Sequence, residues 1–110
     1  MIQETIAKIE TRLQKSSVGP DESRAELLGL LGTLKSEIAE LSKTDAEQAQ
    51  SIAGFAAISA HEATREEKNP ALLKHSLDGL SSSVTGFEKT HPHLVQIVNS
   101  ICNALSNLGI

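Results

Sequence analysis

Apolar residues recur three and four positions apart along almost the whole chain, and no stretch alternates apolar and polar residues as a half-buried strand would. At 3.6 residues per turn this spacing lays a stripe along one face of an α-helix. The pattern therefore supports an all-α fold. The first segment carries Ile2, Ile6, Ile9 and Leu13, a narrow seam close to a coiled-coil stripe, and stops near Gly19-Pro20. A second helix is predicted from about Pro20 to Ser42, with the stripe Leu27, Leu31, Leu34, Ile38 and Leu41. Ser23 and Glu26 have capping-box spacing near its start. Thr44 and Glu47 have the same spacing, which marks Thr44 as the cap of a third helix. That helix holds Ala49, Ile52, Ala53, Phe55, Ala56, Ala60 and Ala63, and so many alanines allow a partner to approach closely.

The third helix should end by Lys68, because Asn69-Pro70 disfavours helix at residue 69 and offers an N-cap and an N1 proline for the next one. The fourth stripe is Leu73, Leu77, Leu80, Val84 and Phe87; the fifth, after the Thr90-His91-Pro92 break, is Leu94, Val98, Ile101, Leu105 and Leu108. With loops of two to six residues, sequential helices should be antiparallel neighbours. The expected architecture is a single domain over 1–110, an antiparallel bundle of about five helices. It comprises an N-terminal arm (1–16), a first hairpin (20–68) and a second, similar hairpin (69–110). An offset of 46 aligns the second and fourth stripes and matches Lys43-Thr44 with Lys89-Thr90, which suggests a duplicated hairpin. Two unrelated hairpins of equal arm length would produce the same alignment.

The chain closes with Phe87-Glu88-Lys89-Thr90-His91-Pro92-His93-Leu94, then Ile97, Ile101 and Leu105, and finally Asn107-Leu108-Gly109-Ile110. This segment resembles the end of a bacterial family known only as domain of unknown function 4404, in its His-Pro cap and its Asn-Leu-Gly-Ile-like terminus. Leu27, Leu28, Leu31 and Leu34 resemble the family's start. The resemblance implies an all-helical fold and a bacterial source, and it implies no activity. If Leu108 is the last helical residue, Gly109 and Ile110 can close a Schellman cap with Ile110 against Leu105.

Composition removes several function classes. The net charge is -4, which disfavours sequence-blind phosphate binding, so no nucleic-acid partner is expected. Phe55 and Phe87 are the only aromatics, too few for a base-stacking platform. One cysteine excludes an internal disulfide and a cysteine zinc finger. No apolar run reaches 18 residues, and the start lacks a basic n-region, so neither a transmembrane segment nor a signal peptide is expected and the location is read as cytoplasmic.

Candidate chemistry is sparse. His61-Glu62-Ala63-Thr64-Arg65 departs from the zincin motif at one position, where Arg65 replaces the second histidine ligand, and reads as a solvated charged patch. His91 and His93 flank Pro92, and Glu88 with His91 has the Glu-x-x-His spacing of di-iron bundles; the second motif and the extra glutamates those sites need are missing. The simpler reading puts His91 in the first turn after a Thr90 cap. His61 and His75 lie nearly equidistant from the Asn69-Pro70 turn and could face each other. Cys102 has no basic neighbour in sequence and reads as an inert, partly buried thiol. Ser81-Ser82-Ser83 lacks a nucleophile elbow, and there is no phosphate-binding glycine loop. No catalytic residue, cofactor or metal site is expected.

The informative feature is missing charge. Residues 69–110 hold only Lys74, Asp78, Glu88 and Lys89, and the fifth helix holds none. Asn99, Asn103 and Asn107 form an amide stripe there, and depletion of charge marks interface cores. The expected function is a non-enzymatic interaction or scaffolding module that forms a homo-oligomer, first a dimer, through the C-terminal hairpin. The thin Ile2–Leu13 seam, in want of a partner helix, is a second motive. The alternative is a bundle that binds a small apolar ligand or a metal, or a small enzyme built on that site.

Overall fold

The computed structural model describes residues 2–16 and 19–109, and within them the chain forms five helices: α1 (Ile2–Lys15), α2 (Asp21–Ser42), α3 (Ala46–Thr64), α4 (Pro70–Ser83) and α5 (Pro92–Gly109). No strand occurs among the described residues, and the all-α bundle is as the spacing predicts. The expected terminal cap rests on Ile110, outside the described residues; α5 itself runs on through Gly109 rather than stopping at Leu108.

The stripes become the core. Ile6, Ile9 and Leu13 of α1 are buried, so the thin first seam finds its partners inside the chain, against α2 and α3. That removes the second motive for a partner chain. On α2, Leu27, Leu31, Leu34, Ile38 and Leu41 are all buried. Burying a leucine or isoleucine contributes about 1.5–3 kcal/mol each before the entropy of ordering is counted. On α5 the buried stripe is Leu94, Val98, Ile101, Leu105 and Leu108.

Hydrogen bonds fix helix directions. Gln48, at the start of α3, donates to the Ser83 carbonyl at the end of α4, so these helices run antiparallel. Arg24 of α2 donates to the Ser16 carbonyl after α1, and Lys35 pairs with Glu10 at 3.7 Å, so α1 and α2 are antiparallel too. His93, at the start of α5, lies 3.5 Å from Glu37 late in α2. Helix α3 packs on α1, α2, α4 and α5, whereas α1 meets neither α4 nor α5.

Helix ends depart from the sequence expectation in four places. The cap of α3 is Asp45, whose carboxylate accepts from the Gln48 N–H at 3.1 Å. Thr44 instead turns its hydroxyl back to the Leu41 carbonyl at 3.2 Å, completing the end of α2. An aspartate three residues before an amide caps at least as well as a threonine, and the shift of one residue follows. Helix α2 begins at Asp21 after an extended Pro20, so Ser23 sits inside the first turn rather than at the cap. At α5 the first helical bond runs from Val95 N–H to the His91 carbonyl at 3.3 Å. His91 thus stands at the cap position, and the helix starts on Pro92.

The fourth departure is larger. Helix α4 ends at Ser83, four residues before Phe87, and residues 84–91 form a longer turn than expected. Ser76 and Ser83 spend their hydroxyls on the carbonyls three residues back, at 2.9 and 2.6 Å. Thr85 is β-branched, and Gly86 takes φ +96°, a left-handed conformation that closes the turn. Val84 is buried all the same, and Phe87 packs edge-on against His91 with ring centroids 5.7 Å apart. The two hairpins accordingly have unequal first arms, 22 residues in α2 and 14 in α4.

The cap assignment is testable. Asp45→Ala should lower stability by about 1 kcal/mol in urea denaturation, as loss of an N-cap does. Thr44→Val should stay within about 0.5 kcal/mol, the range of neutral surface changes. Equal losses from the two would return the cap to Thr44.

Candidate functional site at the α4–α5 groove

A groove of about 930 Å³ lies between α4 and α5. Its floor is Leu73, Leu77 and Cys102; its α5 wall is Asn99, Asn103 and Ser106. Lys74 and Asp78 stand on the α4 rim, one helical turn apart and paired at 2.8 Å, with most of each side chain in solvent. The periodicity that buries Leu94, Val98, Ile101 and Leu105 turns Asn99, Asn103 and Asn107 outward, and all three are exposed. The amide stripe is therefore not consumed by packing within the chain. The groove thus joins an apolar floor to an uncharged amide wall on α5, and its charges, Lys68, Lys74 and Asp78, lie on the opposite side.

The family model for Domain of unknown function (DUF4404) matches residues 27–110, a span that contains both groove helices whole. The chain belongs to this family. No match to a curated protein or to a solved structure was found. The DUF4404 match begins inside α2, so α1 and residues 21–26 of α2 lie before it.

The thiol in the DUF4404 groove is poorly suited to chemistry. Burial, with a smaller contribution from the Asp78 carboxylate, pushes the Cys102 pKa up from 9.0 to about 11. Its sulfur lies 3.8 Å from the Leu77 carbonyl, the acceptor it faces. The partial burial read from the sequence is what stands there.

Histidines predicted as possible partners do not converge. His61 lies 3.9 Å from Glu62, and His75 is exposed on α4; no hydrogen bond or ring contact joins the two among the described residues. His91 Nδ1 is 3.0 Å from the Thr90 hydroxyl, His93 turns to Glu37, and Glu88 accepts from the Gly86 N–H at 2.9 Å. Among the described residues no three histidine, cysteine, aspartate or glutamate side chains gather as a metal site would need.

Two placements differ from the sequence reading. Glu62 is buried rather than solvated, and the Arg65 guanidinium holds it at 2.9 Å. Phe55, grouped with the third-helix core by sequence, faces outward at 37 % exposure, with Ile58 at 52 % and Leu72 at 45 %. Its ring lies across Gly79 of α4, where any Cβ would collide with it. Ile58 and Leu72 stand off the stripes of their own helices, whereas Phe55, three positions after Ile52, carries the core spacing and reads as buried.

A raised thiol pKa has a defined consequence. Below pH 9 the thiol is protonated in both folded and unfolded chains; between pH 9 and about 11 only the unfolded chain ionises, so stability falls across that window. Alkylation of native Cys102 should accelerate through about pH 11, and that of urea-unfolded protein about two pH units lower, the size of the shift. Identical profiles in the two states would contradict the assignment.

Proposed function

We propose that this chain is a non-enzymatic helical interaction module that self-associates, forming a dimer through the α4–α5 hairpin. The observation that carries the reading is the solvent-facing amide stripe of Asn99, Asn103 and Asn107 beside a groove floored by Leu73 and Leu77. A charge-free helix at the centre of a monomer would bury that stripe; here α3 occupies the centre and α5 keeps its outer face in solvent. Amides both donate and accept, so they can pair with their own copies across a two-fold axis without the desolvation cost of buried ions. A cytoplasmic setting in a bacterium belongs to the same proposal; the free thiol of Cys102 is compatible with a reducing compartment. No helix among the described residues is long and apolar enough to cross a membrane.

A second reading has one observation in its favour. The apolar floor of Leu73 and Leu77 would equally accept a small apolar ligand. The two readings separate on concentration dependence, since an apolar ligand leaves the chain monomeric.

Light scattering or sedimentation at micromolar concentration should give twice the 11.7 kDa chain mass. Asn103→Lys should shift that population toward monomer by at least about tenfold in Kd, because two like charges then meet near the axis. Lys8→Glu changes charge on the exposed side of α1 and should leave the mass unchanged. A wild-type mass of one chain across the whole concentration range would overturn the proposal.

A further inference from the structure

The outer face of the second hairpin is self-complementary about one level of the bundle. Lys74 and Asp78 stand four residues apart on the α4 rim, one positive and one negative, their side chains 74 % and 63 % exposed. The midpoint between them is the level of residue 76. The Cys102 sulfur faces the Leu77 carbonyl, which sets α5 residues 102 and 103 at that same level. Asn103, exposed on the groove wall, therefore lies beside the midpoint of the charge pair. A two-fold axis through this level would bring Lys74 of one protomer against Asp78 of the other, twice, and would set Asn103 near its own copy.

Resting on the self-association proposed above, we infer that a second copy of this chain docks antiparallel on the α4–α5 face, in a register set by exchange of the Lys74–Asp78 pair. Within one chain the pair is an exposed helical contact of small worth. Across the axis the same two residues form two intermolecular pairs, partly shielded from water by the helices above them. Lys68, the further charge among the described groove residues, sits at the groove's end, six residues before Lys74, where its ammonium donates to the Ala63 carbonyl. Charge complementarity thus selects a second copy of this face, because a uniformly acidic or basic partner would meet one repulsive contact for each attractive one.

A charge-swap mixture tests the register without disturbing the fold, since both side chains are exposed. Lys74→Glu places acid at both positions of one chain, and Asp78→Lys places base at both. Each variant alone should dissociate about tenfold or more more readily than wild type, because like charges meet twice across the axis. Mixed in equal amounts, the two should form a one-to-one heterodimer that weakens as salt rises. Circular dichroism on each variant confirms that it is folded.

If either variant alone remains as tightly dimeric as wild type, or the mixture stays monomeric while wild type dimerises, the register is wrong and the broader self-association stands. If wild type is itself monomeric, both fall. The intramolecular pair cannot mimic the expected result, because neither chain in the mixture regains an opposite-charge neighbour of its own.

Discussion

Ala49, Ala53, Ala56, Ala60 and Ala63 lie along α3 and are almost wholly withdrawn from solvent. With methyl groups at these five positions, neighbouring backbones close on α3 from several sides, and α1, α2, α4 and α5 all do so. Apart from Ile52 of α3 itself, the larger side chains of the core, Leu31, Leu34, Ile38, Ile101 and Leu105 among them, belong to the surrounding helices and fill the spaces between them. Close packing of this kind tolerates little change in volume, in either direction. The α3–α4 contact is tight for the same reason. Ser59 and Ser76 are buried small residues on these two helices, and Gly79 accommodates the Phe55 ring. Ser59 accepts a cost there, since its buried hydroxyl has no hydrogen-bond partner among the described residues.

A hub of this kind divides the molecule into two unlike sides. Helices α1 and α2 carry five and seven charged residues and bind one another partly through the Lys35–Glu10 pair. Helix α4 carries two, and α5 carries none. The interior makes no use of the uncharged back of α5, which leaves it as surface. The proposed association thus concerns the side that ordinary solvation explains least.

Much of this was legible in the sequence because the stripes were regular. Each buried leucine of α2 and each of α5 stands on the 3–4 spacing, and Asn69-Pro70 caps α4 as read, with the Asn69 side chain accepting from Leu72 N–H at 3.2 Å. The failures came where two local signals competed. Thr44 and Asp45 both cap helices well, and only the backbone angles choose between them. The stripe through Val84 and Phe87 continued a helical rhythm that Gly86 interrupts; both residues still turn inward, which is why the rhythm persisted. For the site, the amide stripe was visible as composition. The groove beside it was not, because it exists only once α4 and α5 are set side by side. Glu62 was misread since its partner Arg65 neutralises it from beyond the helix end.

Helix α3 as hub makes a statement about local stability, because amides in the most packed element open only when the whole domain does. Native-state hydrogen exchange measures this directly. The α3 amides from Ile52 to Ala63 should be the slowest in the protein, with an opening free energy equal to that of global unfolding. Amides of α1 and of the 84–91 turn should exchange through smaller openings. Exchange of α3 at or above the rate of α1 would contradict the central place given to the alanine stripe.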